Sequence, residues 1–149
     1  MADYAEIVNR IVAVIIDTII LVIITVLIAI PFGLTSALFG MMADVTGVMN
    51  LWSNAAIWSM FTLINAIIWL LYFTYFEGTT GQTPGKRAMN IKVVKENGKK
   101  VNFTDAFIRS ILRIVDGIAF YILGLIIIVV TKKKQRLGDI LARTVVVKA

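Results

Sequence analysis

The chain has no cysteine and no histidine. The first absence excludes disulfide frameworks, thiolate nucleophiles and thiolate-held metals. The second excludes imidazole ligands and Ser-His or Cys-His catalysis. It also removes the side chain that ordinarily carries protons near neutral pH, which leaves proton chemistry to the carboxylates. No cofactor and no enzymatic activity are expected from such a set. Proline occurs only at Pro31 and Pro84, and charged residues make up just 16% of the sequence. The remainder is dominated by apolar side chains, 59% of 149 residues, which describes one membrane-embedded domain over residues 1–149 and not a soluble enzyme. The net charge of +6 would suggest nucleic acid in a soluble protein. Here the basic residues flank hydrophobic runs, where anionic headgroups and topology signals account for them, so a lipid bilayer and not nucleic acid is the expected partner.

The longest apolar run, Ile7 to Ile30, is interrupted only by Asn9, Arg10, Asp17, Thr18 and Thr25. Roughly 20 apolar residues at 1.5 Å rise cross the hydrocarbon of a bilayer, so this run predicts a first transmembrane helix, ended by Pro31. It is too long and too charged for a cleaved signal peptide. Residues 32–51 hold Gly33, Gly40, Gly47 and Asp44 but no Lys or Arg, which predicts a non-cytoplasmic loop with room for a short helix lying in the interface. A second span is expected from Leu51 to Phe76. Trp52, Trp58, Trp69, Tyr72 and Tyr75 lie toward its ends, and Asn54 and Asn65 are placed to hydrogen-bond between helices.

Residues 77–103 carry Lys86, Arg87, Lys92, Lys95, Lys99 and Lys100, so the positive-inside bias makes this loop cytoplasmic. Within it, Ile91 to Val101 alternates around Asn97-Gly98, a signal for a type I′ hairpin. Thr104-Asp105 suits a helix N-terminus. Residues 104–131 fit either a single third crossing or a helix broken at Asp116-Gly117. The tail, with Lys132, Lys133, Lys134, Arg136, Arg143 and Lys148, is as basic as the loop. A broken or re-entrant element keeps both basic regions on one side, and would let the strand-like Thr144 to Val147 join the hairpin. The expected fold is therefore an all-α integral membrane protein with two full transmembrane helices, a third broken or re-entrant element and a small cytoplasmic β-hairpin.

Asp17 is the most informative residue, since a carboxylate in hydrocarbon costs at least ~2.5–3.5 kcal/mol. It is kept where it is paired, binds something or carries a proton. Arg10 lies nearly two helical turns away, about 10 Å along the axis, and points toward the headgroups. Asp17 is therefore expected to meet Arg109 or Arg113 of the third element, or a cation. Asp116, near the expected break, is a second candidate ion or proton ligand. Gly78 to Arg87 superficially resembles a phosphate loop but lacks the first glycine and the Ser or Thr of a Walker A motif. Lys86 and Arg87 are expected on lipid phosphates instead, and Asp139 is expected to cap the segment that follows Gly138.

Arg10, Asp17 and the Asp139 of Arg136-Leu137-Gly138-Asp139 resemble the RDD family, named for one arginine and two aspartates. Gly81-Gln82-Thr83-Pro84-Gly85-Lys86-Arg87, Ile91 to Val94, Arg109 and Ala142 to Val146 are similar to its pattern; Arg143 stands where many relatives have a small residue. The resemblance implies a small multi-spanning membrane protein. Some relatives look like monovalent cation/proton antiporters, and eukaryotic ones act in membrane protein complexes. The leading expectation is cation/proton exchange centred on Asp17 in a homo-oligomer of a prokaryotic cytoplasmic membrane, with Arg10, Arg109, Arg113 and Asp139 as ion-pairing or tuning residues. The alternative is a non-transporting adaptor that binds lipids and partner proteins through its basic surfaces.

Overall fold

The computed structural model describes residues 4–42, 47–118, 127–128, 130–131 and 134–149; of these, 39, 41–42, 47–53 and 114–118 are described by their backbone alone. The chain runs α1 (Ile7–Met42), α2 (Gly47–Thr80), α3 (Pro84–Ala88), β1 (Ile91–Lys95), α4 (Phe103–Ile118), α5 (Leu137–Leu141) and β2 (Thr144–Lys148). Two stretches, Ile7–Leu38 and Asn54–Thr80, are long and apolar enough to cross a membrane. Their outward faces carry Ile11, Ile15, Ile19, Val22 and Val26, and Leu63, Ile67 and Leu71, all exposed. Continuous apolar surface of that kind suits lipid.

Helix α1 passes Pro31 and continues to Met42, so the proline does not end it. Proline removes one backbone donor, and apolar spans tolerate this through local adjustment of the freed groups. Helix α2 likewise starts earlier and ends later than the apolar run suggested. The stretch read as a loop over 32–51 is thus helical at both ends, while Asp44 lies outside the described residues and so does the side chain of Trp52.

The chain forms two compact units, one of Ile19–Trp69 and one of Met1–Thr18 with Leu70–Ala149. In the first, the Thr25 hydroxyl donates to Asn65 Oδ1 at 2.9 Å, and the Ser36 hydroxyl donates to Asn54 Oδ1. Both asparagines therefore join α1 to α2, as expected of amides in lipid.

The second unit holds the sheet. Strand β1 pairs antiparallel with β2, with Val93 opposite Val146, so the tail and not the returning arm of the hairpin supplies the partner strand. The Asn97-Gly98 turn does form, but the arm after it makes only an isolated bridge, Val94 to Lys100. Gly98 N–H donates to Lys95 O, Lys95 N–H donates to Lys99 O, and only Gly98 of the central pair has positive φ. That is a three-residue loop with a glycine bulge and not a type I′ turn. Tyr4 adds a bridge on the far side of β2, and Ala5, Ala13, Ile91, Val93, Val101, Ala106 and Val146 form the buried core.

Helix α4 begins at Phe103, with its cap at Asn102, two residues before Thr104. The Asn102 side chain accepts from Asp105 N, and Asp105 accepts in return from Asn102 N. The helix runs unbroken through Asp116-Gly117 to Ile118, so the expected break does not fall there; residues 119–126 lie outside the described set. Its 16 described residues span about 24 Å. Its faces are inverted relative to a soluble helix: Arg109, Ser110 and Arg113 are buried, whereas Phe103, Phe107 and Ile111 are exposed. An element with its charges inside and its apolar stripe outside fits lipid surroundings.

Candidate functional site

Asp17 is 1% exposed. Its Oδ1 accepts from the Tyr72 hydroxyl at 2.9 Å and from Gly85 N–H at 2.8 Å, and its Oδ2 accepts from the Thr83 hydroxyl at 2.5 Å. The short helix α3 supplies two of these donors because Thr83 caps it, accepting from Lys86 N, and Pro84 opens it. All three donors are neutral. None of the ion pairs among the described residues includes Asp17, so the expected pairing with Arg109 or Arg113 is corrected.

The two arginines converge instead on Glu77, at the end of α2 and fully buried. Arg109 Nε lies 2.9 Å from Glu77 Oε2, Arg113 Nη2 lies 2.8 Å from Oε1, and Lys86 Nζ lies 2.5 Å from the same oxygen. Arg113 also stacks on the Phe73 ring at 3.7 Å. Arg109 extends to Asp139 Oδ1 and to the Thr144 hydroxyl at 2.5 Å, tying α4 to α5 and β2. Asp139 Oδ2 accepts from Arg136 N at 3.1 Å, so it closes the cap from the third position of a helix that starts at Leu137 and does not itself cap a segment after Gly138. Arg10 does not snorkel toward lipid: it is buried, donates to Lys134 O and Val146 O, and stands 3.8 Å from Asp139. Its side chain and that of Asp17 do not meet, as their spacing indicated.

Lys86 is likewise 4% exposed and therefore no lipid ligand, a second correction, while Arg87 is exposed. The side chain of Asp116 lies outside the described residues. Glu77 is a site residue that the sequence does not single out. The available signal is a carboxylate closing an apolar span immediately before a basic loop.

Electrostatics set this cluster apart. Among the described residues, the cations Arg10, Lys86, Arg109 and Arg113 share two carboxylates, Glu77 and Asp139. Burial disfavours charge on Arg109, but Asp139 and Glu77 outweigh it and hold the guanidinium above its usual range. Burial alone would raise Asp139, yet Arg109, Arg136 and Arg10 bring it below the usual carboxylate value. Four cations against two carboxylates leave positive charge in surplus, and it is Lys86 that gives way. Burial drives its ammonium down to about 7, with Glu77 opposing the shift and Arg109 and Arg113 adding to it.

In the unfolded chain Lys86 holds its proton to about 10.5. Between the two values the unfolded state binds more protons, so folding stability is expected to rise with pH from about 7 to about 10.5. The slope is at most about 1.4 kcal/mol per pH unit. Unfolding midpoints in detergent across this range, with Lys86→Met as the flat control, measure it. Equal slopes in both proteins would refute the assignment.

A helical membrane protein built on two apolar helices, with a buried carboxylate in the first of them and a charged cluster closing onto a two-stranded sheet, is the class these features define. The chain belongs to the RDD family, whose sequence model matches residues 4–143. It is 38% identical over 86 residues to the uncharacterized protein YxaI of Bacillus subtilis (strain 168). That match covers 57% of this chain and 56% of the relative, so the chain spans about half the length of the curated relative it matches. No solved structure matches it.

Proposed function

We propose that this RDD membrane protein exchanges monovalent cations for protons at Asp17, acting as a homo-oligomer in a prokaryotic cytoplasmic membrane. One observation carries this reading: Asp17 is buried in an apolar span and held by neutral donors, while the arginines are drawn onto Glu77 and Asp139. A carboxylate locked to a guanidinium is committed. One held by two hydroxyls and an amide can take either a proton or a small cation, because hydroxyl oxygens can turn their lone pairs toward a bound ion. That mutual exclusivity is the minimal requirement for antiport. Arg109, Arg113, Arg10 and Asp139 then act at a distance, by fixing the elements that carry α3. Two or three spans are too few to enclose a pathway, which is why an oligomer belongs to the proposal. Pairing of β1 with β2 and the positive-inside bias support placing the 77–103 loop and the tail together on the cytoplasmic face.

The test is cation-driven proton flux in proteoliposomes, native chain against Asp17→Asn. The asparagine oxygen can still accept from Tyr72 and Gly85, and its NH2 can donate to Thr83, so the variant is expected to fold. Native flux under a Na⁺, K⁺ or Li⁺ gradient, lost in Asp17→Asn and partly kept in Asp17→Glu, is the expected result. No cation-dependent flux from well-folded native protein would overturn the proposal. The alternative, a non-transporting adaptor, draws support from the exposed Lys99 and Lys100 at the tip of the turn after β1.

A further inference from the structure

Where the apolar span of α2 gives way to the polar chain, a pocket of about 590 Å³ opens between the last turns of α2 and helix α3. That volume lies within the ~300–1,000 Å³ of small-molecule sites. Tyr75, Phe76, Pro84 and Ala88 give it its apolar lining; Arg87, Thr83, Gln82 and the two threonines at the end of α2 are its polar neighbours. Arg87 is exposed, and its guanidinium makes no hydrogen bond or ion pair among the described residues. This sets it apart from its neighbour Lys86, which is spent on Glu77.

We propose that this pocket holds the headgroup and glycerol region of an anionic phospholipid, with Arg87 on the phosphate. Three features select that ligand. The pocket lies at the end of a membrane-crossing stretch, the depth at which headgroups sit and aromatic residues anchor. An arginine fork matches a phosphate oxygen pair, and anionic headgroups collect around such residues. Among the described residues no carboxylate lines the pocket, so the ammonium of a zwitterionic headgroup meets no counter-ion from them. A free phosphate ion shares the phosphate chemistry, but it has no apolar part to cover Phe76 and Ala88. The site does not depend on the exchange reading, although Thr83 forms part of its wall and also donates to Asp17.

The experiment is native mass spectrometry of the full chain released from nanodiscs of mixed phosphatidylglycerol and phosphatidylcholine. Native protein is expected to retain phosphatidylglycerol on each protomer through detergent exchange. Arg87→Ala is expected to lose it, by roughly tenfold in occupancy for a charge-assisted bond. Ala88→Phe, which fills the pocket and leaves the charge, should lose it as well, whereas Lys99→Ala, remote on the exposed turn, should keep it. Circular dichroism checks that each variant is folded. Retention unchanged in Arg87→Ala, equal loss in Lys99→Ala, or equal retention of phosphatidylcholine would each overturn the proposal. So would displacement of the lipid by inorganic phosphate alone, which would assign the site to a soluble anion.

Discussion

Glu77→Gln is expected to destabilise the folded chain by about 3–5 kcal/mol, the usual cost of leaving a buried charge without its partner. Glutamine keeps the shape and an acceptor oxygen, so the loss is one of charge. Lys86, Arg109 and Arg113 all lie on that carboxylate, and each is buried. Without it, Asp139 would be the nearest remaining anion for Arg109. Lys86→Met, in contrast, removes a surplus cation and leaves Glu77 with two guanidinium partners, so it is expected to be nearly neutral. Combining the two should recover part of the loss, a coupling on the order of 0.5–3 kcal/mol that a double-mutant cycle reads from unfolding midpoints in detergent. A Glu77→Gln variant within about 1 kcal/mol of the native chain would show that solvent or lipid already compensates the cluster.

The same cluster shows how far the sequence can be read. Apolar runs, the positive-inside bias and the Arg10, Asp17 and Asp139 pattern are enough for the two spans and the family. The pairing of charges is not legible. A hydrophobic run marks Asp17 as costly but does not say which donors the fold will bring to it. Two of those donors, Thr83 and Gly85, lie at the head of α3, 66 and 68 positions further along. Charge seeks charge, so the sequence alone sets Arg109 or Arg113, or a cation, against Asp17. Glu77 escapes notice because a carboxylate at the edge of a span reads as solvated, and only the fold buries it. Lys86 and Arg87 are adjacent in sequence yet one is buried and the other exposed. A five-residue helix with 3.6 residues per turn separates neighbours in that way, and composition does not record it. The lack of histidine points proton chemistry to carboxylates, whereas burial beside two guanidinium groups makes Lys86 a group that titrates near neutrality.

Gly85→Ala is expected to cost about 3 kcal/mol or more and to disable Asp17 without touching it. Gly85 N–H donates to Asp17 Oδ1, and a Cβ placed on Gly85 would collide with the backbone oxygen of Ala13 and come within 2.9 Å of the Asp17 carboxylate. Backbone on one side and a buried carboxylate on the other leave no flexible side chain to give way. Helix α3 would have to withdraw from α1, which adds overpacking strain of ~1–3 kcal/mol to the loss of donors from a buried acceptor at ~1–3 kcal/mol. Ala13→Gly should not rescue it, because the obstructing atom is a main-chain oxygen that any residue at 13 retains. Gly33→Ala provides the control: nothing lies within 4 Å of the place its Cβ would take, so the change should be neutral or slightly stabilising through helix propensity. Thermal unfolding of the three variants separates these outcomes. A Gly85→Ala chain as stable as the native one would mean that α3 does not rest against α1, and the donor set assigned to Asp17 would fall with it.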